Sequence, residues 1–180
     1  MCSRHKKRVK KMYDELGGKI YDLRYHDEQL SKYDEILQRL RLSPYEIVLD
    51  SGCGTGLLIE KIDGVYVGFD LSSNLISSAY QKAQPLADKH LFQGDAENLP
   101  LRDDVFEVLL SFTLIQNLSE PARALSELRR VSRRKGSICV TALRKTISMG
   151  TFNSILVDSG FKSPTILDTN PHDWIAIIKP

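Results

Sequence analysis

From residue 45 onward, short apolar runs alternate with stretches of helical periodicity. Runs at 46–50, 65–69, 89–93, 105–111, 136–143, 162–168 and 173–179 predict strands, and 57–62, 73–83, 119–132 and 147–160 predict helices. Strictly alternating elements of this kind build an α/β fold with helices packed on a mainly parallel sheet. Ser72 and Ser119 stand where N-caps belong, and Pro121 suits a first helical turn because its missing N–H costs little there. Gly136 and Gly160 are the expected C-terminal stops of the third and fourth helices. Before residue 45 the pattern changes to two helices over roughly 4–42. Tyr13, Leu16, Ile20, Leu23 and Tyr25 give the first an apolar side, and Tyr33, Ile36, Leu37 and Leu40 give one to the second. The break at Gly17-Gly18 is the expected hinge. Tyr21 and Tyr25 lie where such an arm could close over a ligand.

A chain of 180 residues suits a single domain with a full core, divided here into a helical cap at 1–44 and a core at 45–180. No apolar run reaches bilayer length and the basic N-terminus lacks the apolar stretch of a signal peptide, so a cytoplasmic protein is expected. Cys2, Cys53 and Cys139 are scattered without metal-ligand spacing, which fits a reduced compartment and gives no metal site. The net charge of +2 says little, but its distribution is uneven. Arg4, Lys6, Lys7, Arg8, Lys10 and Lys11 crowd one end, and Arg129, Arg130, Arg133, Arg134 and Lys135 form a second cluster. Each suits phosphate contacts, or else a solvated tail and a helix C-terminus whose dipole favours cations.

The chemistry is concentrated in Asp50-Ser51-Gly52-Cys53-Gly54-Thr55-Gly56, which follows the first strand of the core. Alternate glycines free the turn for positive φ and let a ligand approach bare backbone. A dinucleotide loop needs G-x-G-x-x-G, and Leu57 occupies the place of its third glycine. A phosphate-binding P-loop needs a Lys-Ser or Lys-Thr that is absent. The carboxylate of Asp50 beside the loop repels a pyrophosphate and suits a ligand with an ammonium group.

With Val67-Gly68-Phe69-Asp70-Leu71-Ser72, Gly94-Asp95-Ala96-Glu97-Asn98-Leu99-Pro100 and Phe106-Glu107-Val108-Leu109-Leu110-Ser111 in order behind it, the chain resembles the class I S-adenosylmethionine-dependent methyltransferases. The resemblance implies a Rossmann-like, mostly parallel sheet of seven strands with a C-terminal antiparallel hairpin. It implies S-adenosylmethionine as cofactor, held by Asp50, Ser51, Gly52, Cys53, Gly54 and Gly56 at the methionine part. Asp70 then receives both ribose hydroxyls, Leu71 and Ser72 flank the adenine, Asp95 takes its amino group, and Ala96 donates a backbone N–H to the ring. Ser111 belongs to the methyl end. The N-P-P-Y of amide and adenine N-methyltransferases is replaced by Ser111-Phe112-Thr113-Leu114, and neither a histidine base nor the cysteine of RNA 5-methylpyrimidine enzymes is evident. No catalytic residue is therefore assigned. Gln116, Asn117 and Tyr25 are candidates for orienting an acceptor.

Little chain separates the fifth strand from the final hairpin, so the acceptor face is expected to be open and suited to RNA or protein. The resemblance to small archaeal members further implies a small zinc-binding activator protein, as a heterodimer, at the edge strand His90-Leu91-Phe92-Gln93. Competing readings are a small-molecule methyltransferase, a non-catalytic cofactor-binding scaffold and a dehydrogenase. The glycine spacing disfavours the last.

Overall fold

A computed structural model describes residues 4–179 of the chain. Cys2 lies outside the described residues. The chain opens with α1 (Arg4–Leu40) and continues through β1 (Ile47–Ser51), β2 (Val65–Asp70), α2 (Ser73–Ala83), β3 (Lys89–Gln93) and β4 (Phe106–Ser111). α3 (Pro121–Val131), β5 (Ser132–Leu143), α4 (Met149–Asp158), β6 (Ile166–Leu167) and β7 (Asp173–Ile178) complete it. The seven strands form one sheet in the order β3-β2-β1-β4-β5-β7-β6. All neighbours are parallel except that β7 runs antiparallel to both β5 and β6, as the sequence implies. Successive residues of the central strands face opposite sides of the sheet. Leu49, Leu109 and Val140 enter one core with Leu125, Leu128 and Phe152 of α3 and α4. Val48, Leu110 and Cys139 enter the other with Tyr33 and Ile36 of α1 and Ile76 and Ala79 of α2. Burial on both faces explains the consecutive apolar residues Ile47–Leu49 of β1 and Val108–Leu110 of β4.

α1 is two helices joined at a kink, where the sequence places its hinge. Gly17 at φ 70°, ψ 158° occupies a region nearly reserved for glycine and interrupts the helix there. At Gly18 a Cβ would lie 2.1 Å from Ser78 Oγ, which shows how closely α1 crosses α2.

Four expectations need correction. The helix at 57–62 shrinks to one 3-10 turn, Ile59–Lys61, because Val65 must already pair with Ile47. Ser119 does not cap α3. Its backbone N–H and that of Glu120 both donate to Glu97 Oε1, at 2.8 and 2.9 Å, so a buried carboxylate from elsewhere in the chain does the capping. Gly136 lies inside β5 rather than ending α3. The ladder slips between Phe106↔Ser132 and Val108↔Ser137, and a Cβ on Gly136 would press on Arg133 O and Glu107 O at 2.9 and 3.0 Å. The strand at 162–168 is reduced to two residues, with Ser163 at positive φ and Pro164 unable to donate to a ladder. Ser72 does cap α2, accepting from Leu75 N, and Gly160 at φ 88° closes α4.

Candidate active site

Chain order reverses between β1 and β4: β2 and β3 extend the sheet one way and β5 the other. At such a switch point the strand C-termini leave a crevice where ligands bind. Gly52, Gly54 and Gly56 line up there at φ 79°, 57° and 75°, so the loop can be built only with glycine at low cost. Gly52 N and Cys53 N both donate to Phe69 O at 2.9 Å, which stitches the loop to the end of β2. Asp70 then fixes it from the side: Oδ2 accepts from Gly54 N at 3.1 Å and Oδ1 from Ser72 N at 2.8 Å. Burial raises the pKa of Asp70 above the usual carboxylate value, against the pull of those N–H groups. Each oxygen still has a lone pair to offer, which suits a vicinal diol.

Asp50 is 3% exposed beneath the loop, with Tyr66 Oη donating to its Oδ2 at 2.7 Å. Burial lifts its pKa to about 7; the Tyr66 bond opposes the rise and the Asp70 charge adds to it. Cys53 is buried beside both carboxylates, and its thiol is pushed up mainly by burial, so it fills space rather than acting as a nucleophile.

The cleft above the loop leaves a free volume of about 70 Å³ and is walled by the strand ends on one side and by α1 on the other. Gly52, Asp70, Leu71, Ser72, Asp95 and Ala96 line it. Asp50, Ser51, Cys53, Gly54, Gly56 and Ser111 do not: they sit in the layer beneath, and Tyr21 covers Gly54, with its hydroxyl 3.2 Å from where a Cβ would stand. Of the three acceptor candidates, Asn117 lines the cleft and donates to Tyr13 Oη at 3.0 Å. Gln116 turns back on Thr113 O, and Tyr25 packs behind Tyr21 with ring centroids 5.0 Å apart.

The contribution of α1 is larger than its sequence suggested. Lys6 reaches Asp95 at 2.7 Å and Glu97 at 2.5 Å across the adenine end of the cleft. Burial draws the Lys6 pKa down, but the bonds to Asp95 and Glu97 outweigh it and hold the ammonium above its usual value. Asp14 accepts from Ser72 Oγ at 2.6 Å and Asn74 N at 3.2 Å, and Asp22 accepts from Thr55 Oγ1 at 2.5 Å while pairing with Lys82 at 2.8 Å. Three polar anchors, Lys6, Asp14 and Asp22, thus hold the helix across the site. The signal in the sequence is a row of Lys6, Lys10 and Tyr13 at helical spacing, in which the two lysines also belong to a basic cluster and Tyr13 to an apolar side. Arg4, Lys7, Arg8 and Lys11 do face solvent. The second basic cluster is partly consumed by the fold: Arg130 binds Asp103, Glu127 and the carbonyls of Leu99 and Leu101, and Arg133 pairs with Glu107.

Residues 49–140, which hold the glycine loop and the Asp70 and Asp95 turns, match the methyltransferase domain family. The chain belongs to that family. It is 30% identical over 144 residues to a malonyl-[acyl-carrier protein] O-methyltransferase of Marinomonas, covering 77% of this chain and 53% of that one. The chain spans about half the length of the curated relatives it matches. Its fold superposes with a TM-score of 0.78 and 17% identity on the magnesium protoporphyrin IX methyltransferase of Synechocystis with bound S-adenosylmethionine, over 99% of both chains. A complex of the Haloferax volcanii Trm112 methyltransferase activator with a proposed methyltransferase gives a TM-score of 0.75 at 16% identity, over 93% and 97%. S-adenosylmethionine is the cofactor of this methyltransferase domain, and the site fits it: a bare glycine loop, a carboxylate with free lone pairs for the ribose, and an apolar slot between Leu71 and Ala96. No helix among the described residues is long and apolar enough to cross a membrane.

Proposed function

We propose that the chain transfers a methyl group from S-adenosylmethionine to an anionic macromolecule, an RNA or an acidic protein, presented at the α1 side of the cleft. The observation that carries this is the two-sided character of α1. Its inner face, through Lys6, Lys10 and Tyr13, lines the cofactor cleft, while Arg4, Lys7, Arg8 and Lys11 point outward from the same turns. A polyanion bound on that outer face is held beside the place where the methyl is delivered. The bound cofactor supplies an electrophilic sulfonium methyl, so alignment rather than acid–base chemistry is the main demand on the protein. Gly52 meets the methionine part through backbone, and Gly54 joins it once Tyr21 moves off; Asp50 balances its ammonium from below, Asp70 takes the ribose hydroxyls, and Asp95 and Ala96 take the adenine. The lysine of the Lys6–Asp95 pair has to yield to the adenine amino group, and the 1–44 cap acts as a lid.

A small zinc-binding activator at the β3 edge belongs to the same proposal, supported by the likeness to the Trm112 complex. Asp88 O and Gly94 N pair with β2, so Lys89, Leu91 and Gln93 turn their backbone groups outward. Tyr80 Oη already donates to Leu91 O at 2.5 Å and must move aside for a partner strand. The alternative is a small-molecule acceptor, favoured by the enclosure of the cleft under Tyr13 and Tyr21. Incubating the protein with S-adenosyl-[methyl-³H]methionine and an extract of its native cells, then separating RNA, protein and small molecules, decides between them. Label in RNA or protein is expected; label confined to small molecules would overturn the leading reading.

A further inference from the structure

The end of the cleft beyond β4 holds a polar arrangement that cofactor binding does not use. Lys32, from the second half of α1, is 1% exposed, and Asp173, at the start of β7, is 0% exposed. Their charged groups meet at 2.7 Å, yet neither Asp173 oxygen takes a hydrogen bond among the described residues. A buried ion pair satisfied this incompletely is a poor source of stability. Lys32 Nζ also donates to Thr113 Oγ1 at 2.6 Å. Thr113 lines the cofactor cleft in the turn that follows β4, beside Gly52, Phe112 and Leu114.

Two features of Thr113 point to a use. Its φ is 54°, a left-handed conformation that β-branched residues rarely adopt, and such outliers concentrate at functional sites. The strained turn is held from both sides, by Lys32 on the hydroxyl and by Thr113 N donating to Thr141 Oγ1 at 2.9 Å. An ammonium can only donate, so Thr113 Oγ1 spends a lone pair on Lys32 and keeps its own hydrogen. No acceptor for that hydrogen lies among the described residues. A charge-assisted bond to the oxygen also makes the hydroxyl a stronger donor.

We propose that the Thr113 hydroxyl donates a hydrogen bond to the methyl acceptor, and that Lys32, held by Asp173, is the positioning residue that aims it; this rests on the methyl-transfer reading. The acceptor class follows. It carries an oxygen with a lone pair to receive that bond, at the nucleophilic atom or next to it: a carboxylate, a phenolate, or an enolate or amide oxygen. In the transfer, a lone pair of the acceptor forms the bond to the methyl carbon as the carbon–sulfur bond breaks. That bonding pair returns to sulfur, leaving neutral S-adenosylhomocysteine. An acceptor that is anionic beforehand becomes neutral, and a neutral one passes its proton to water. Thr113 keeps its hydrogen throughout and fixes the angle of approach.

The test uses the full chain with Thr113→Val, Thr113→Ser and the double variant Lys32→Met/Asp173→Asn, which removes both charges together and so strands neither. Calorimetric binding of S-adenosylhomocysteine and thermal melting are measured alongside tritium transfer to the cell fraction that the wild type labels. All three variants should bind S-adenosylhomocysteine within about threefold of wild type, because the Thr113 hydroxyl is aimed at the acceptor and Lys32 and Asp173 are buried behind it. Transfer should fall roughly a hundredfold in Thr113→Val with a raised KM for the acceptor fraction, and Thr113→Ser should restore it to within about fivefold. The double variant should melt near wild type yet lose transfer by roughly tenfold or more, which a merely structural pair would not do. Normal transfer by Thr113→Val, or loss of S-adenosylhomocysteine binding in step with transfer, would overturn the proposal. A wild type that labels no fraction would overturn the methyl-transfer reading first and this inference with it.

Discussion

Asp50→Asn should make the folded chain more stable at neutral pH while weakening its cofactor binding. The carboxyl is 3% exposed, and its pKa rises from 3.8 to about 7 chiefly through burial. The folded state therefore holds a proton on Asp50 more tightly than the unfolded state does. Stability is lost as pH rises from the unfolded value to the folded one and is flat above it. Three units at ~1.4 kcal/mol each set a ceiling of ~4 kcal/mol on the cost of the ionised carboxylate at pH 8. Asparagine matches its shape, can still accept from Tyr66 Oη, and carries no charge to bury. For a chain of this size the gain at pH 8 corresponds to a melting temperature higher by on the order of 10 °C, shrinking to nothing near pH 4. Calorimetric melting of both proteins at pH 4, 6 and 8 measures it. A gain equal at all three pH values, or none at pH 8, would refute the reasoning. The same carboxylate, charged opposite the methionine ammonium, should make S-adenosylhomocysteine affinity rise with pH up to about 7 in the wild type and lose that dependence in Asp50→Asn.

Gly17→Ala meets no atom within 4 Å but forces a Cβ into the glycine-only region, so it should cost ~1–3 kcal/mol and speed hydrogen exchange selectively over residues 4–16. Glu97→Ala strips the cap from α3 and a partner from Lys6; urea unfolding should report a loss of ~2–3 kcal/mol. Cys53 and Cys139, whose thiols burial pushes upward, should resist iodoacetamide at pH 8 in the native protein and react fully once it is unfolded, as read by peptide mass spectrometry.

What the sequence made legible and what it hid divide along physical lines. β1 and β4 were readable because strands covered on both faces carry consecutive apolar residues, here Ile47–Leu49 and Val108–Leu110, and the glycine loop because positive φ at three alternate positions leaves little choice of residue. Asp70 was readable because the end of the second strand is a fixed place in such sheets. Features that depend on distant partners were not. Nothing near Lys6 says that Asp95 and Glu97 lie across from it. Ser119 has every local mark of a cap, yet Glu97 does the work because the turn after β3 brings a buried carboxylate to the start of α3. Gly136 follows a helix as a stop would, but its role is to let the slipped β5 backbone pass Glu107. Thr113 gives no sequence sign of its strained φ, and Lys32 looks like a solvated charge until Asp173 is found opposite.

The central claim is that this cleft holds S-adenosylmethionine through the glycine loop and Asp70. Calorimetric titration of S-adenosylhomocysteine into the purified chain tests it most directly, with Asp70→Asn and NADH as controls. Saturable one-to-one binding is predicted, weakened at least about tenfold in Asp70→Asn through loss of charged hydrogen bonds to the ribose, with no heat from NADH. A folded wild type that ignores S-adenosylhomocysteine, or that binds NADH in its place, would contradict the account.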